Sequence, residues 1–228
     1  MHSKFTYLLI DIATIIVPFV FSFHPKINFY KTWKAFWPAN LIIALVFILW
    51  DIFYTHIGVW GFNDNYTCGL KLFNLPIEEV LFFVCIPYAS IFTYHCLKLY
   101  LKNKKVDIKY VSIFLSLSLL VIGLINISNL YTSVTFITLG IFIIFLKFIN
   151  NANWLYTFYL CYLVILLPFF IVNGILTGSW INEPIVWYNN QQNLQIRLLT
   201  IPVEDVFYGM LLLILNTWLY ERFSKKKS

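Results

Sequence analysis

The 228-residue sequence is poor in charge. Only 11% of its residues are charged, against about 25% in an average soluble domain, while 61% are hydrophobic and the mean hydropathy is +0.78. These values exclude an ordinary soluble domain. The net charge of +6 would indicate nucleic acid binding in a soluble protein, but in an apolar chain it is typical of loop lysines that set membrane orientation. We therefore expect a lipid bilayer as partner and no nucleic acid.

Motifs for metals and redox cofactors are also missing. The four cysteines (68, 85, 96 and 161) have no CxxC or Cys/His spacing that suits a metal. No GxGxxG follows a strand that could hold a flavin. The first apolar run lacks a small-residue cleavage site and contains Asp11, so it is predicted to be a retained span and not a signal peptide. No metal and no cofactor are expected.

Long apolar runs are abundant. A helix needs about 20 mostly apolar residues to cross a bilayer, and seven stretches approach that length. They are 5–23, 35–54, 76–100, 108–127, 130–149, 154–176 and 201–220. The sequence thus predicts an all-α integral membrane protein with seven transmembrane helices.

The basic residues support this count, because seven spans divide them unequally between the two sides. One side holds Lys26, Lys31, Lys34, Lys98, Lys102, Lys104, Lys105, Lys109, Lys147, Arg222, Lys225, Lys226 and Lys227. The other holds Lys4, Lys71 and Arg197. By the positive-inside rule, the N-terminus is extracytoplasmic and the C-terminus cytoplasmic in the cell (inner) membrane.

Two segments of the chain repeat each other. "GVWGFNDNYTCGLKLFNLPIEEVLFF" and "GSWINEPIVWYNNQQNLQIRLLTIPVEDVFYG" both read Gly-x-Trp, then a polar loop, then [LI]-P-[IV]-E-[ED]-V-x-[FY]. Spans three and seven both run inward, so the repeat is parallel. We predict a 3+1+3 arrangement, with a first three-helix unit over 1–100, a linker helix over 101–128 and a second unit over 129–228.

Each repeat places two acids side by side at the start of a span. Pro76 and Pro202 suit the first helical position, and Glu78 and Glu204 then lie in the first turn, where the helix dipole favours negative charge. Capping does not explain the second acids, Glu79 and Asp205. Neighbouring residues point about 100° apart on a helix, and unpaired acids in a membrane are costly.

The four acids are expected to form one site around a shared axis. Carboxyl groups in an apolar setting can keep a proton at neutral pH, and two that face each other share one. Such a site suits protonation of an apolar olefin, with aromatic faces stabilising the carbocation. Aromatic residues of the outer loops are candidate liners, although belt positions at the interface explain them equally well; they are Trp60, Phe62, Tyr66, Trp180, Trp187 and Tyr188.

The segments "LIIALVFILWDIFYTHIGVWGF", "LFNLPIEEVLFFVCIPYASIFTYH" and "IRLLTIPVEDVFYGMLLLILNTWLYE" resemble the integral-membrane lycopene cyclases in their fused two-domain form. The resemblance covers nearly the whole chain. It implies cofactor-free cyclisation of the ψ ends of lycopene to β-ionone rings in carotenoid biosynthesis. A homo-oligomer or a complex with other carotenoid enzymes is left open.

The family's motif acids correspond to Glu78, Glu79, Glu204 and Asp205, which the resemblance marks as catalytic. Our hypothesis at this stage is that Glu78 or Glu204 donates the proton and that a second carboxylate removes one from the ring. Four further residues are assigned supporting or substrate-binding roles: Asp51, Trp60, Asn173 and Trp180.

Other classes fit less well. Span seven has no lysine for a retinal Schiff base, and no Asp-rich motif of prenyl-transferring enzymes is present. A small 3+1+3 transporter or hydrophobic-ligand-binding protein is the main alternative, but a transporter would have polar groups near the bilayer midplane. A related carotenoid-modifying enzyme is the other alternative.

The predicted orientation can be tested with reporter fusions. We expect a fluorescent protein fused after Ser228 to fluoresce, and alkaline phosphatase inserted in the loop near Asp64 to be active, because the first reporter functions inside the cell and the second outside. The reverse pattern would contradict the charge-based orientation.

Overall fold

The computed structural model describes residues 4–101 and 106–225 and is mainly helical. Seven α-helices are present in these ranges, and each coincides with one predicted span. They are α1 (Thr6–Phe21), α2 (Trp33–His56), α3 (Ile77–Leu101), α4 (Lys109–Ile125), α5 (Leu130–Ile144), α6 (Leu155–Leu176) and α7 (Val203–Lys225). A π-helical turn, Phe145–Ile149, continues α5, and a 3-10 turn, Phe29–Thr32, precedes α2.

Four helical segments of the described ranges are long and apolar enough to cross a membrane. They are Phe29–His56, Ile77–Leu101, Leu130–Ile149 and Leu155–Leu176. Helices α1 and α4 are apolar but shorter, with 16 and 17 residues. The protein is therefore a membrane protein, while the complete seven-span arrangement remains a prediction. The orientation of the chain in the membrane also remains a prediction. Five of the basic residues on which it was based lie outside the described ranges: Lys102, Lys104, Lys105, Lys226 and Lys227.

The helices pack in two matching sets. Helix α1 packs on α3 in the first half, as α5 packs on α7 in the second. The middle helix of each half crosses to the other half, so that α2 packs on α7 and α6 on α3. Helices α3 and α7 meet at the centre, and α4 packs against α5. The two helices that begin with an acid pair are therefore the inner helices of the bundle.

A polar contact holds the centre of the bundle together. The Asn40 side-chain amide on α2 donates to the carbonyl of Phe83 on α3 at 3.1 Å and to Oδ1 of Asn216 on α7 at 3.2 Å. Asn40 and Asn216 are both buried. Because a polar group in an apolar interior is costly without a partner, these bonds favour one register of α2 against α3 and α7.

Short strands order the loops that precede α3 and α7. Six strands lie in the described ranges: β1 (Trp60–Phe62), β2 (Lys71–Leu72), β3 (Leu75–Pro76), β4 (Val186–Tyr188), β5 (Arg197–Leu198) and β6 (Ile201–Pro202). Strands β1 and β4 pair antiparallel and join the loops of the two halves, with Trp60 opposite Tyr188. Hairpins β2–β3 and β5–β6 lead directly into α3 and α7.

The repeat extends to the backbone of these hairpins. Lys71 pairs with Pro76 in the first and Arg197 with Pro202 in the second. The residues at the turns, Phe73 and Leu199, have φ values of 56° and 61°. The strand pairing corrects the expectation that Pro76 and Pro202 take the first helical position. Each proline is the last residue of its hairpin, so α3 and α7 begin one residue later.

Candidate active site

A cavity of about 460 Å³ lies between α1, α3, α6 and α7, below the β1–β4 pair. Its walls are mainly apolar side chains, and such a volume is ordinary for a small-molecule site. Three carboxyl groups line it, one from each of three helices: Asp51 on α2, Glu79 on α3 and Asp205 on α7. All three are buried. Residues from both halves of the chain thus contribute acids to one cavity.

The two members of each acid pair face different ways. Glu79 and Asp205 line the cavity, whereas Glu78 and Glu204 turn toward the loop before their helix. The Cys68 amide donates to Oε1 of Glu78 at 2.6 Å, and the Leu194 amide donates to Oε1 of Glu204 at 2.7 Å. The roughly 100° step between adjacent helical residues explains the division.

This placement does not bring the predicted proton donors, Glu78 and Glu204, to the cavity, and their role as donors stays a prediction. Both are fully buried, but neither lines the cavity, and each accepts an amide ten residues upstream. Glu204 also accepts the hydroxyl of Thr132 on α5 at 2.6 Å. The first acid of each pair therefore fixes the loop and the start of the helix, and the second is available for chemistry.

Glu79 and Asp51 both line the cavity and lie beside each other. An ionised carboxylate only accepts, so two carboxyl groups can bond to each other only when one carries a proton. Glu79 also accepts a hydrogen bond from the Tyr7 hydroxyl. Asp51 has the Trp60 side chain within reach, and its Oδ2 is buried without a partner. A buried ionised oxygen without a hydrogen-bond donor is costly. This cost favours the protonated form of Asp51.

Asp205 has a different environment. Its Oδ1 accepts the Tyr131 hydroxyl at 2.5 Å and its Oδ2 accepts the Tyr188 hydroxyl at 2.8 Å. Burial and then the charge of Asp205 raise the pKa of Tyr188, in the loop between α6 and α7, well above its usual value. The Tyr188 hydroxyl therefore remains a donor. Two donors satisfy the carboxylate form of Asp205, which can accept a proton.

Aromatic rings lie beside the three acids. The Trp60 ring is 5.0 Å from Tyr131, 6.2 Å from Tyr188 and 5.8 Å from Tyr208, measured between centroids. All four residues line the cavity. The negative faces of such rings stabilise a nearby cation, by an amount that rises when water is absent. We call these four residues the aromatic wall.

Three of the four supporting residues expected from sequence line the cavity: Asp51, Trp60 and Asn173. Trp180 does not: it is 61% exposed, and its ring covers Gly174, where an added Cβ would lie 2.7 Å from the ring. Of the other candidate liners, Phe62 and Tyr188 line the cavity, whereas Trp187 and Tyr66 lie outside it.

Four tyrosines that line the cavity were not expected from sequence: Tyr7, Tyr131 and Tyr208 beside the acids, and Tyr162 on α6. Tyr7 and Tyr131 lie near the start of the first helix of their halves, and each donates to the second acid of its own half. Their matching positions in the two halves are the signal that could have identified these two residues from sequence. Tyr208 occupies the [FY] position of the repeated motif, where the first half has Phe82, and both rings line the cavity. No cluster of His, Cys, Asp and Glu in the described ranges is arranged to hold a metal ion.

An apolar cavity with acids at one end, in a bundle of membrane-length helices, defines a membrane enzyme site for a hydrophobic molecule. The family model described as lycopene cyclase matches residues 4–97 and 128–223. The chain therefore belongs to the lycopene cyclase family, as its motifs indicated, and is a cyclase of carotenoid biosynthesis. The two matched segments agree with the internal repeat. Searches of the curated proteins and of the solved structures found no match.

The loop-fixing role of Glu204 can be tested by its effect on stability. We expect Glu204→Ala to lower the free energy of unfolding by about 1–3 kcal/mol, because the Leu194 amide and the Thr132 hydroxyl lose their acceptor. Glu204→Gln keeps an acceptor oxygen and should be much closer to wild type. Thermal unfolding in detergent measures both, and equal stability of the alanine variant and wild type would contradict the role.

Proposed function

We propose that the protein is a lycopene β-cyclase that closes β-ionone rings by proton-initiated cyclisation. The observation that carries this proposal is the unequal bonding of the acids at one end of an apolar cavity. Asp51 and Glu79 lie beside each other in the cavity, whereas Asp205 accepts two hydroxyls. This arrangement supports a general acid and a general base in one site, with the aromatic wall beside them.

The acid step begins when the ψ end of the polyene reaches the carboxyl groups. Asp51, hydrogen-bonded to Glu79, donates its proton to the terminal double bond, and a tertiary carbocation forms. Once the proton leaves, the pair carries two negative charges, which are offset by the Tyr7 hydroxyl hydrogen-bonded to Glu79 and by the nearby carbocation. The next suitably placed double bond attacks the cation and closes a six-membered ring.

The base step removes a proton from the ring. After closure, the positive charge lies on a ring carbon next to the aromatic wall, where Trp60 and Tyr208 can stabilise it. Asp205 takes the proton from the carbon that formed the new bond, which leaves the double bond of a β ring. Removal from the carbon on the other side of the cation would give an ε ring, so the position of the base decides the product.

One proton enters and one leaves, so the product is an isomer of the substrate. No electrons are exchanged, and the chemistry needs only the side chains already described. The acids lie next to the outer strands and not midway along the helices, which supports an enzyme over a transporter. We further propose that the chain spans the cell membrane seven times as two three-helix units and a linker, with the acid site toward the extracytoplasmic side.

Expression in a bacterium that accumulates lycopene tests the activity. We expect chromatography to show carotenes with one or two β rings. Unchanged lycopene would overturn the assignment as a lycopene cyclase. Products with ε rings would overturn the β specificity.

Substitutions of the cavity acids test their roles in the same cells. Glu79→Gln and Asp205→Asn should each lower the rate of cyclisation by roughly 10²–10⁴-fold, the usual contribution of general acid–base catalysis. Asp64→Asn, at an exposed acid paired with Lys71 in the outer loop, should leave the product level unchanged. Near-normal cyclisation by either cavity variant would contradict its assigned role.

A further inference from the structure

We propose that the substrate enters the cavity sideways from the bilayer, through a portal between α1 and α6. The portal is defined by Ala13 on α1 and by Pro168 and Ile171 on α6. The inference rests on the proposed function, since it takes the polyene as the occupant, and it adds the route and the orientation of that molecule.

The exposure of the cavity walls locates the portal. Most residues that line the cavity are buried or half-buried, and the three that are exposed are Ala13, Pro168 and Ile171. They come from only two of the surrounding helices. A residue that both lines a cavity and reaches the outer surface marks its mouth.

The packing of the helices explains the opening. Helices α1 and α6 both pack on α3, so that α3 forms the back of the cavity and α1 and α6 stand on either side of it. Ala13 is the smallest of the α1 residues that line the cavity, so its side chain fills little of the mouth. The side chains around the mouth are exposed and apolar, among them Ile16 and Val17 on α1 and Leu167 on α6. The mouth therefore opens on hydrocarbon.

The outer end of the cavity is covered. Strands β1 and β4 pair across it, and Trp60 and Val186 from these strands are buried lining residues. A route through this cover would lead a hydrocarbon into water, which the hydrophobic effect opposes. Entry from the bilayer keeps the polyene in an apolar environment at every stage.

The shape of the cavity then sets the orientation of the substrate. From Glu79 to Thr93 the lining follows α3 for about 21 Å at 1.5 Å per residue. This is roughly two thirds of a hydrocarbon core of about 30 Å. The carboxyl groups lie at one end only, so the polyene is held along the helices with one ψ end at the acids. The second ψ end reaches the same acids only after the one-ringed product leaves through the portal and enters again in reverse.

A size series at the mouth tests the portal. We expect kcat/KM for lycopene in membranes to fall as residue 13 is enlarged through Ala13→Leu to Ala13→Trp, by ~10-fold or more for tryptophan, while Ala13→Gly stays near wild type. Ile171→Trp should act in the same way from the opposite side of the mouth. The matched controls are Ile12→Trp and Leu163→Trp, which enlarge exposed residues of the same helices outside the lining and away from the residues named at the mouth.

The outcomes separate the route from the reaction. If the wild type forms rings but Ala13→Trp and Ile171→Trp match their controls in kcat/KM, the portal is wrong and the cyclase activity stands. If the wild type forms no rings, the proposed function itself fails. Unfolding temperatures in detergent accompany each series, so that a loss shared with the controls or with stability is recognised as misfolding and counts against the portal.

Discussion

A hydrogen shared by Asp51 and Glu79 is the interaction on which the proposed chemistry depends. A carboxyl group in an apolar interior must either keep its proton or find donors. The donors come from several elements, since Tyr7 on α1 and Asp51 on α2 serve Glu79, and Tyr131 and Tyr188 serve Asp205. In the proposed mechanism, the same bonds that hold these elements together leave a proton on one acid and none on another, which separates the general acid from the general base.

Much of the fold could be predicted because its signals are local or periodic. Each apolar run contains one helix, and the repeated motif indicated two equivalent halves, which the matches of the lycopene cyclase family support. The repeated motifs, which lie 126 residues apart, reappear in matched amides bonded to Glu78 and Glu204. The repeat preserves backbone geometry, because the same turn must precede the same helix start.

The side chains of the site were less predictable because their roles depend on contacts between distant elements. The sequence indicated four acids, but adjacency alone could not say that Glu79 and Asp205 face the cavity. The hydroxyls that bond them belong to ordinary-looking residues such as Tyr7, in an apolar run, and Trp180 resembled a liner although its ring lies outside. Only the packing of α1 against α3 and of α5 against α7 brings these partners together.

Infrared difference spectroscopy of the purified protein, in detergent at neutral pH, tests the shared hydrogen most directly. A protonated carboxyl group has a C=O stretching band that an ionised one lacks. We expect this band to change in the wild type minus Asp51→Asn spectrum and in the corresponding Glu79→Gln spectrum, and to persist in Asp205→Asn. Absence of any protonated carboxyl signal that depends on Asp51 or Glu79 would contradict the shared hydrogen and, with it, the assignment of the acid.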